Sequence, residues 1–264
     1  MNEQATKVTP LLEVRNLVKT FGRVNALRRA NFAVFPGEVV ALIGDNGAGK
    51  SVLTKCISGV LQPDAGQILV EGKPVQFESP IAAMRTGIET VYQDLALAND
   101  LDASANLYLG RDALRGGVLG RLGVLDRKKE RAGAAAAFRD LGIELQDVSA
   151  PIVSLSGGQR QTVAVARSVV WASRVIILDE PTAALGVVQR QHVLDVIRRV
   201  RDRGVAVVLV SHNMPEVLDV ADRVEVLRLG VRVARFQVST VTVEELVGAM
   251  TGALKQDEEE GEAR

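Results

Sequence analysis

Residues 44–51 read Gly44-Asp45-Asn46-Gly47-Ala48-Gly49-Lys50-Ser51, a complete match to the phosphate-loop pattern G-x-x-x-x-G-K-[ST]. The five residues before it, Val39-Val40-Ala41-Leu42-Ile43, form an apolar, β-branched run too short for a helix, and so predict a buried strand. Ser51 to Ser58 reads as a helix that stops at Gly59. Strand, glycine loop and helix are the context the motif needs. Glycines let the backbone curl around a polyphosphate, so that successive N–H groups and the helix N-terminus face the anion. In that geometry Lys50 reaches the β- and γ-phosphates and the Ser51 hydroxyl can ligate Mg²⁺.

The chain around this loop has 264 residues, of which 47% are apolar but only 3% aromatic, so its core must be aliphatic. Its 32 Lys and Arg balance 32 Asp and Glu, which gives no bulk attraction to a polyanion and argues against a nucleic-acid partner. The one cysteine, Cys56, excludes an internal disulfide and reads as a small core residue. No signal peptide is expected, and no apolar run approaches the length of a membrane span. The expected location is therefore cytoplasmic, with any membrane role exercised through partners.

Working outward, residues 1–10 read as a flexible leader. Leu11 to Val18 and Ala30 to Phe35 are predicted strands. Phe21 falls in an expected turn between them, at Thr20 to Val24. It is either a minor core contact or a ring that stacks on a base. Residues 67–70 and 75–77 predict short strands about a turn at 71–74, and 79–86 a short helix. Ile88 to Tyr92 reads as a buried strand that delivers Gln93 to the crevice where open α/β sheets bind ligands.

From Asp94 to Ser154 the pattern is helical, with a helix near Leu107, a loose glycine-rich connection at 116–123, and a long helix from Arg127 to Leu141 capped by Asp126. Leu155-Ser156-Gly157-Gly158-Gln159 then leads into a predicted helix from Arg160 to Trp171. A hydroxyl and two glycines at a helix N-terminus suit a second phosphate contact. Val175 to Leu178 is a further buried strand, ending in Asp179-Glu180. Adjacent carboxylates at a strand tip are costly unless a cation or a reaction needs them. Asp179 suits a magnesium partner and Glu180 a general base for water. Val205 to Val210 forms another apolar strand with His212 just beyond its end. The arginines at 198, 199, 201 and 203 fit a helix C-terminus, and His192 an exposed helix face. A final hairpin is expected over 224–236, then a helix over 243–250 and an acidic tail.

The phosphate loop, Gln93, LSGGQ, Asp179-Glu180 and His212 stand in the order and spacing of the ATP-binding cassette family, which the chain resembles over about residues 11–250. That resemblance implies an α/β fold: a phosphate-loop NTPase cassette with a RecA-like parallel-sheet core, a small antiparallel β subdomain and a helical insert. It divides the chain into 11–93, 94–160 and 161–252, followed by a disordered tail at 253–264. It implies ATP and Mg²⁺ as ligands. Gly44, Asp45, Asn46, Gly47, Ala48, Gly49, Lys50 and Ser51 would cradle the phosphates, Phe21 would stack on adenine, and Ser51, Gln93 and Asp179 would hold the metal. Glu180 would polarise the attacking water with His212 and Lys50 at the γ-phosphate. Ser156, Gly157, Gly158 and Gln159 would cover the nucleotide of a second copy in a head-to-tail homodimer.

Two membrane permease subunits and, indirectly, a sugar-binding protein are the further partners implied, on the inner face of the membrane. The wording PTAALG and VYQDLAL resembles the monosaccharide-importer branch. One departure stands out: Gly186 occupies the position where the family usually has a seam aspartate. Other substrates (an amino acid, a lipid), an exporter, or a non-transport ATPase are the alternatives. A ribosome-acting cassette protein would typically carry two signatures, and a chromosome ATPase a long coiled coil in place of the short insert.

Overall fold

The computed structural model describes residues 9–92, 97–143, 145, 147–183 and 185–254. Gln93 and residues 94–96 lie outside them, as do most of the leader and the acidic tail. The chain folds into two compact units, each taken by itself. The first comprises Met1–Thr90, Ala172–Glu180 and Val200–Arg264, and the second Val91–Trp171 and Pro181–Arg199.

In chain order the first unit opens with β1 (Leu12–Phe21), β2 (Val24–Val34), β3 (Val39–Ile43), α1 (Lys50–Ile57), β4 (Ala65–Val70), β5 (Lys73–Val75), α2 (Pro80–Arg85) and β6 (Ile88–Val91). The second unit contributes α3 (Ala103–Tyr108), α4 (Gly117–Arg121), α5 (Arg127–Asp140) and α6 (Gly157–Trp171). There follow β7 (Val175–Asp179), α7 (Val187–Asp202), β8 (Ala206–Val210), α8 (Met214–Val220), β9 (Arg223–Arg228), β10 (Val231–Gln237) and α9 (Val243–Thr251).

Among the described residues the strands make two sheets. An antiparallel one runs β2-β1-β4-β5, and a larger one runs β10-β9-β3-β8-β7-β6. Within the larger sheet β7, β8, β3 and β9 are mutually parallel. Every residue of β3 and β8 is buried, as the uninterrupted apolar runs require of strands covered on both faces. Val14, Leu42, Leu53, Ile177 and Val208 belong to one aliphatic core cluster that also takes in Cys56.

Several boundaries differ from the sequence reading: β2 begins at Val24 rather than Ala30, and β4 at Ala65 rather than Gln67. Phe21 closes β1 rather than lying in a turn; the turn is Gly22-Arg23, opened by Gly22 at φ 57°. β5 begins two residues earlier than expected. The glycine-rich connection holds a short helix, α4. Finally α6 begins at Gly157, inside the signature, because Ser156 and Gln159 cap it reciprocally: Gln159 N donates to Ser156 Oγ (3.2 Å) and Ser156 N to Gln159 Oε1 (2.9 Å). That pair outweighs the poor helix propensity of Gly157 and Gly158.

Candidate functional site

Strand order decides where the chemistry gathers. β8 lies between β3 and β7, all three parallel, so their C-terminal ends stand side by side. Leu42, Val210 and Asp179 are in register across the sheet. The phosphate loop thus starts about 10 Å of backbone from Asp179, two strand spacings away. Ligands bind at such an edge in open α/β sheets.

The loop itself is held from beneath. A Cβ on Gly44 would collide with the Leu227 carbonyl oxygen, and one on Gly49 would lie 2.7 Å from the Ala26 carbonyl oxygen. Gly49 also takes φ 104° at the N-cap of α1, a conformation that favours glycine. Asp45, Asn46 and Gly47 are exposed at the loop's crest, while Ala48 is buried. The close approach of β2 at Ala26 ties the loop to the hairpin that carries Phe21. That ring is half exposed, with the Lys19 ammonium 5.7 Å from its centroid. Lys19 is fixed in turn by Asp64 (2.8 Å), whose other oxygen accepts from Thr20 N (2.7 Å).

Lys50 Nζ donates to the carbonyls of Gly44 (2.6 Å) and Asp45 (3.1 Å), which curls the side chain back over the loop. Partial burial lowers its pKa, against the opposing charges of Glu180, Asp179 and Asp45. Ser51 is exposed in the first turn of α1.

At the tip of β7, burial and then the charge of Glu180 raise the pKa of Asp179, against the pull of Lys50 and Lys55. Glu180 leaves the strand in a left-handed conformation, φ 51°, which costs a non-glycine residue about 1–2 kcal/mol. Its N–H is held by the Val210 carbonyl (2.9 Å). The turn brings its carboxylate to His212, Nδ1 to Oε1 at 2.7 Å. An ionised carboxylate only accepts, so Nδ1 carries the proton in this pair. Glu180 is nearly enclosed whereas the imidazole is 71% exposed, so its Nε2 edge is accessible. Cys56, on α1, is held up to about 11 by burial and is chemically quiet.

In the second unit Ser156 and Gly157 are exposed at the start of α6. A Cβ on Gly158 would lie 2.5 Å from Gln189 Cγ, and one on Gly186 would lie 2.8 Å from Gln189 Oε1. Gln189 therefore packs against both glycines, a contact with no signature in the sequence. The capping pair did have one, the S-x-x-Q spacing. The Glu180–His212 contact could be read only once β7 and β8 were known to be neighbours.

The sequence profile described as ABC transporter matches residues 27–183, more than half of the chain. The chain belongs to the ATP-binding cassette transporter family. This cassette is 50% identical to the fructose import ATP-binding protein FrcA of Rhizobium meliloti, over 92% of its own length and 95% of that protein's. It is 43% identical to the xylose/arabinose import ATP-binding protein XylG of Sulfolobus acidocaldarius, over 92% and 95%. In fold it superposes on the crystal structure of an ATP-binding cassette of an ABC transporter in its ADP conformation. That match has a TM-score of 0.77 at 24% identity and covers 92% of this chain and 96% of the other. No helix among the described residues is long and apolar enough to cross a membrane.

Proposed function

We propose that this cassette hydrolyses ATP to drive uptake of a simple sugar through separate membrane subunits. The observation that carries the hydrolytic part is the Glu180–His212 contact, which joins the ends of β7 and β8 next to the phosphate-loop strand β3. The likeness to fructose and xylose/arabinose import proteins over nearly the whole chain supports the sugar.

Phosphoryl transfer to water depends on positioning and charge neutralisation more than on covalent help. The residues divide the work accordingly. Gly44 to Gly49 wrap the β- and γ-phosphates with backbone N–H groups, and Lys50 exchanges its carbonyl partners for phosphate oxygens. Phe21 stacks on the adenine. Glu180 accepts a proton from the attacking water as the new P–O bond forms and the bond to the ADP oxygen breaks. His212 holds that carboxylate by Nδ1–H and, with Nε2 protonated as well, donates Nε2–H to a γ-phosphate oxygen.

Mg²⁺ suits the donors at hand. Ser51 and Asp179 offer hard oxygens, and a cation beside Asp179 would offset the burial and the like charge that raise its pKa. No group of three or more His, Cys, Asp or Glu among the described residues could hold a metal by itself. That fits an ion bound largely through substrate phosphates and water, where it neutralises developing charge. Gln93 joins this set on the resemblance alone.

The working unit is a homodimer, in which Ser156, Gly157, Gly158 and Gln159 of one copy close over the nucleotide held by Gly44 to Ser51 of the other. It works at the inner face of the membrane, on two permease subunits fed by a sugar-binding protein. Deleting the gene and supplying labelled pentoses and hexoses one at a time tests the transport reading. Loss of uptake of one sugar or one group of sugars is expected. Normal uptake of every sugar, with loss of amino acid or lipid transport instead, would overturn the substrate and leave the ATPase.

A further inference from the structure

Residues 113–125 form a projecting finger in the second unit. Its two arms are bridged between Leu114 and Leu125, with Arg115 N donating to Val124 O (2.9 Å) and Asp126 N to Ala113 O (2.7 Å). The base is anchored by Glu130, fully buried on α5, which accepts from Ala113 N (3.1 Å) and Arg127 (3.0 Å). The tip is α4, which contains no buried residue. Five large apolar side chains are nevertheless carried here: Leu114, Val118, Leu119, Leu122 and Val124 are all exposed, Val118 and Leu122 by 71% and 74%. Arg115 and Arg121 stand among them, no acidic residue occurs between Asp112 and Asp126, and Lys128 and Lys129 follow, exposed.

A braced base under an uncovered apolar tip is built to meet something. We infer that this finger inserts its apolar tip shallowly into an anionic bilayer surface. Val118, Leu119 and Leu122 share one face of this short helix, Leu114 and Val124 stand on the arms that lead to it, and Arg115 and Arg121 flank them. An exposed apolar face flanked by arginines is the pattern of a short segment lying in a bilayer interface. Arg115 and Arg121, with no acidic residue between positions 112 and 126, match anionic headgroups and can keep their charge at that level. The inference goes beyond the proposed transport role and requires neither a sugar nor a permease.

The full chain is tested by sedimentation with vesicles of phosphatidylcholine alone and of equal parts phosphatidylcholine and phosphatidylglycerol. Binding to the anionic vesicles, weakened by salt, is expected. The Val118→Ser/Leu122→Ser pair should lower it at least tenfold, by loss of buried apolar area. The Arg115→Gln/Arg121→Gln pair should lower it roughly thirtyfold. ATP turnover and thermal midpoint should stay as in the parent, since these side chains are exposed and far in sequence from the nucleotide-binding motifs. No binding by the parent chain, or equal binding by the variants, would overturn the inference. So would loss of co-purification with membrane proteins by the variants while the parent chain ignores vesicles; the finger would then serve a protein. None of these results bears on sugar uptake, which is read separately.

Discussion

His212 donates through Nδ1 to Glu180 Oε1 at 2.7 Å, joining the tips of two adjacent parallel strands. The bond fixes the ring orientation of an exposed imidazole and the rotamer of an enclosed carboxylate in one step. In the proposed mechanism neither residue is useful alone: Glu180 without a partner could swing away from the water, and His212 without the carboxylate could turn its ring away from the phosphate.

His212→Ala should therefore lower ATP turnover by about 10²-fold, the lower end of what acid–base groups contribute. ATP affinity and thermal midpoint should be unchanged, because the side chain is exposed. Steady-state hydrolysis beside equilibrium nucleotide binding separates the two.

Asp179 carries the opposite signature, a charge that the fold tolerates poorly. Its raised pKa means that the folded chain binds a proton there more tightly than the unfolded one does. The stabilising contribution of that proton is full below the unfolded pKa and is lost as pH rises through the folded one. Asp179→Asn should hence melt at or above the parent midpoint at neutral pH, and the gap should close on acidification. MgATP affinity should fall roughly tenfold or more in the same variant. Thermal melts across pH, with and without MgATP, read both effects.

Arg223 lies at the centre of a buried ion network. Its guanidinium reaches Glu38 (2.7 Å), the Ala33 carbonyl (2.7 Å) and Glu225, which Arg235 also contacts at 2.8 Å. Breaking a buried pair by removing one partner costs about 3–5 kcal/mol. Arg223→Ala should fall near the lower limit of that range, since Arg235 still serves Glu225. Urea unfolding of the two proteins measures it.

Gly186 and Gly158 share one neighbour, Gln189. An aspartate at 186 would displace Gln189 Oε1, only 2.8 Å from the added Cβ, and so disturb the packing on Gly158 within the signature. Its carboxylate would meanwhile suit the start of α7, whose first turn has no acidic residue. Gly186→Asp should accordingly leave stability within a few tenths of a kcal/mol of the parent and change the Hill coefficient of hydrolysis. Gln189→Ala should shift the coefficient too. An unchanged coefficient in both would make this contact silent.

The extent to which the sequence foretold these features depends on the range of the interaction. β3, the phosphate loop and α1 were legible almost to the residue, because strand burial, glycine conformation and helix capping are local. Asp126 capping α5 was legible for the same reason. α4 was not, since glycines at 116, 117, 120 and 123 argue against a helix and its flanking arms are joined by a bridge between Leu114 and Leu125. α6 starts three residues before the expected Arg160, because the reciprocal Ser156–Gln159 cap carries the helix through two glycines. Glu130 is buried and accepts from Ala113 N, 17 positions away, a contact outside any local pattern. The Arg223–Glu38 pair spans 185 positions, a separation that no local pattern records.

The central claim, that Glu180 takes the proton from water at a phosphate held by Lys50, is tested most directly by single-site variants of the purified chain. Glu180→Gln should bind ATP with the parent affinity and lose 10²–10⁴-fold in turnover. Lys50→Ala should lose both binding and turnover. Hydrolysis by Glu180→Gln at close to the parent rate would contradict the account.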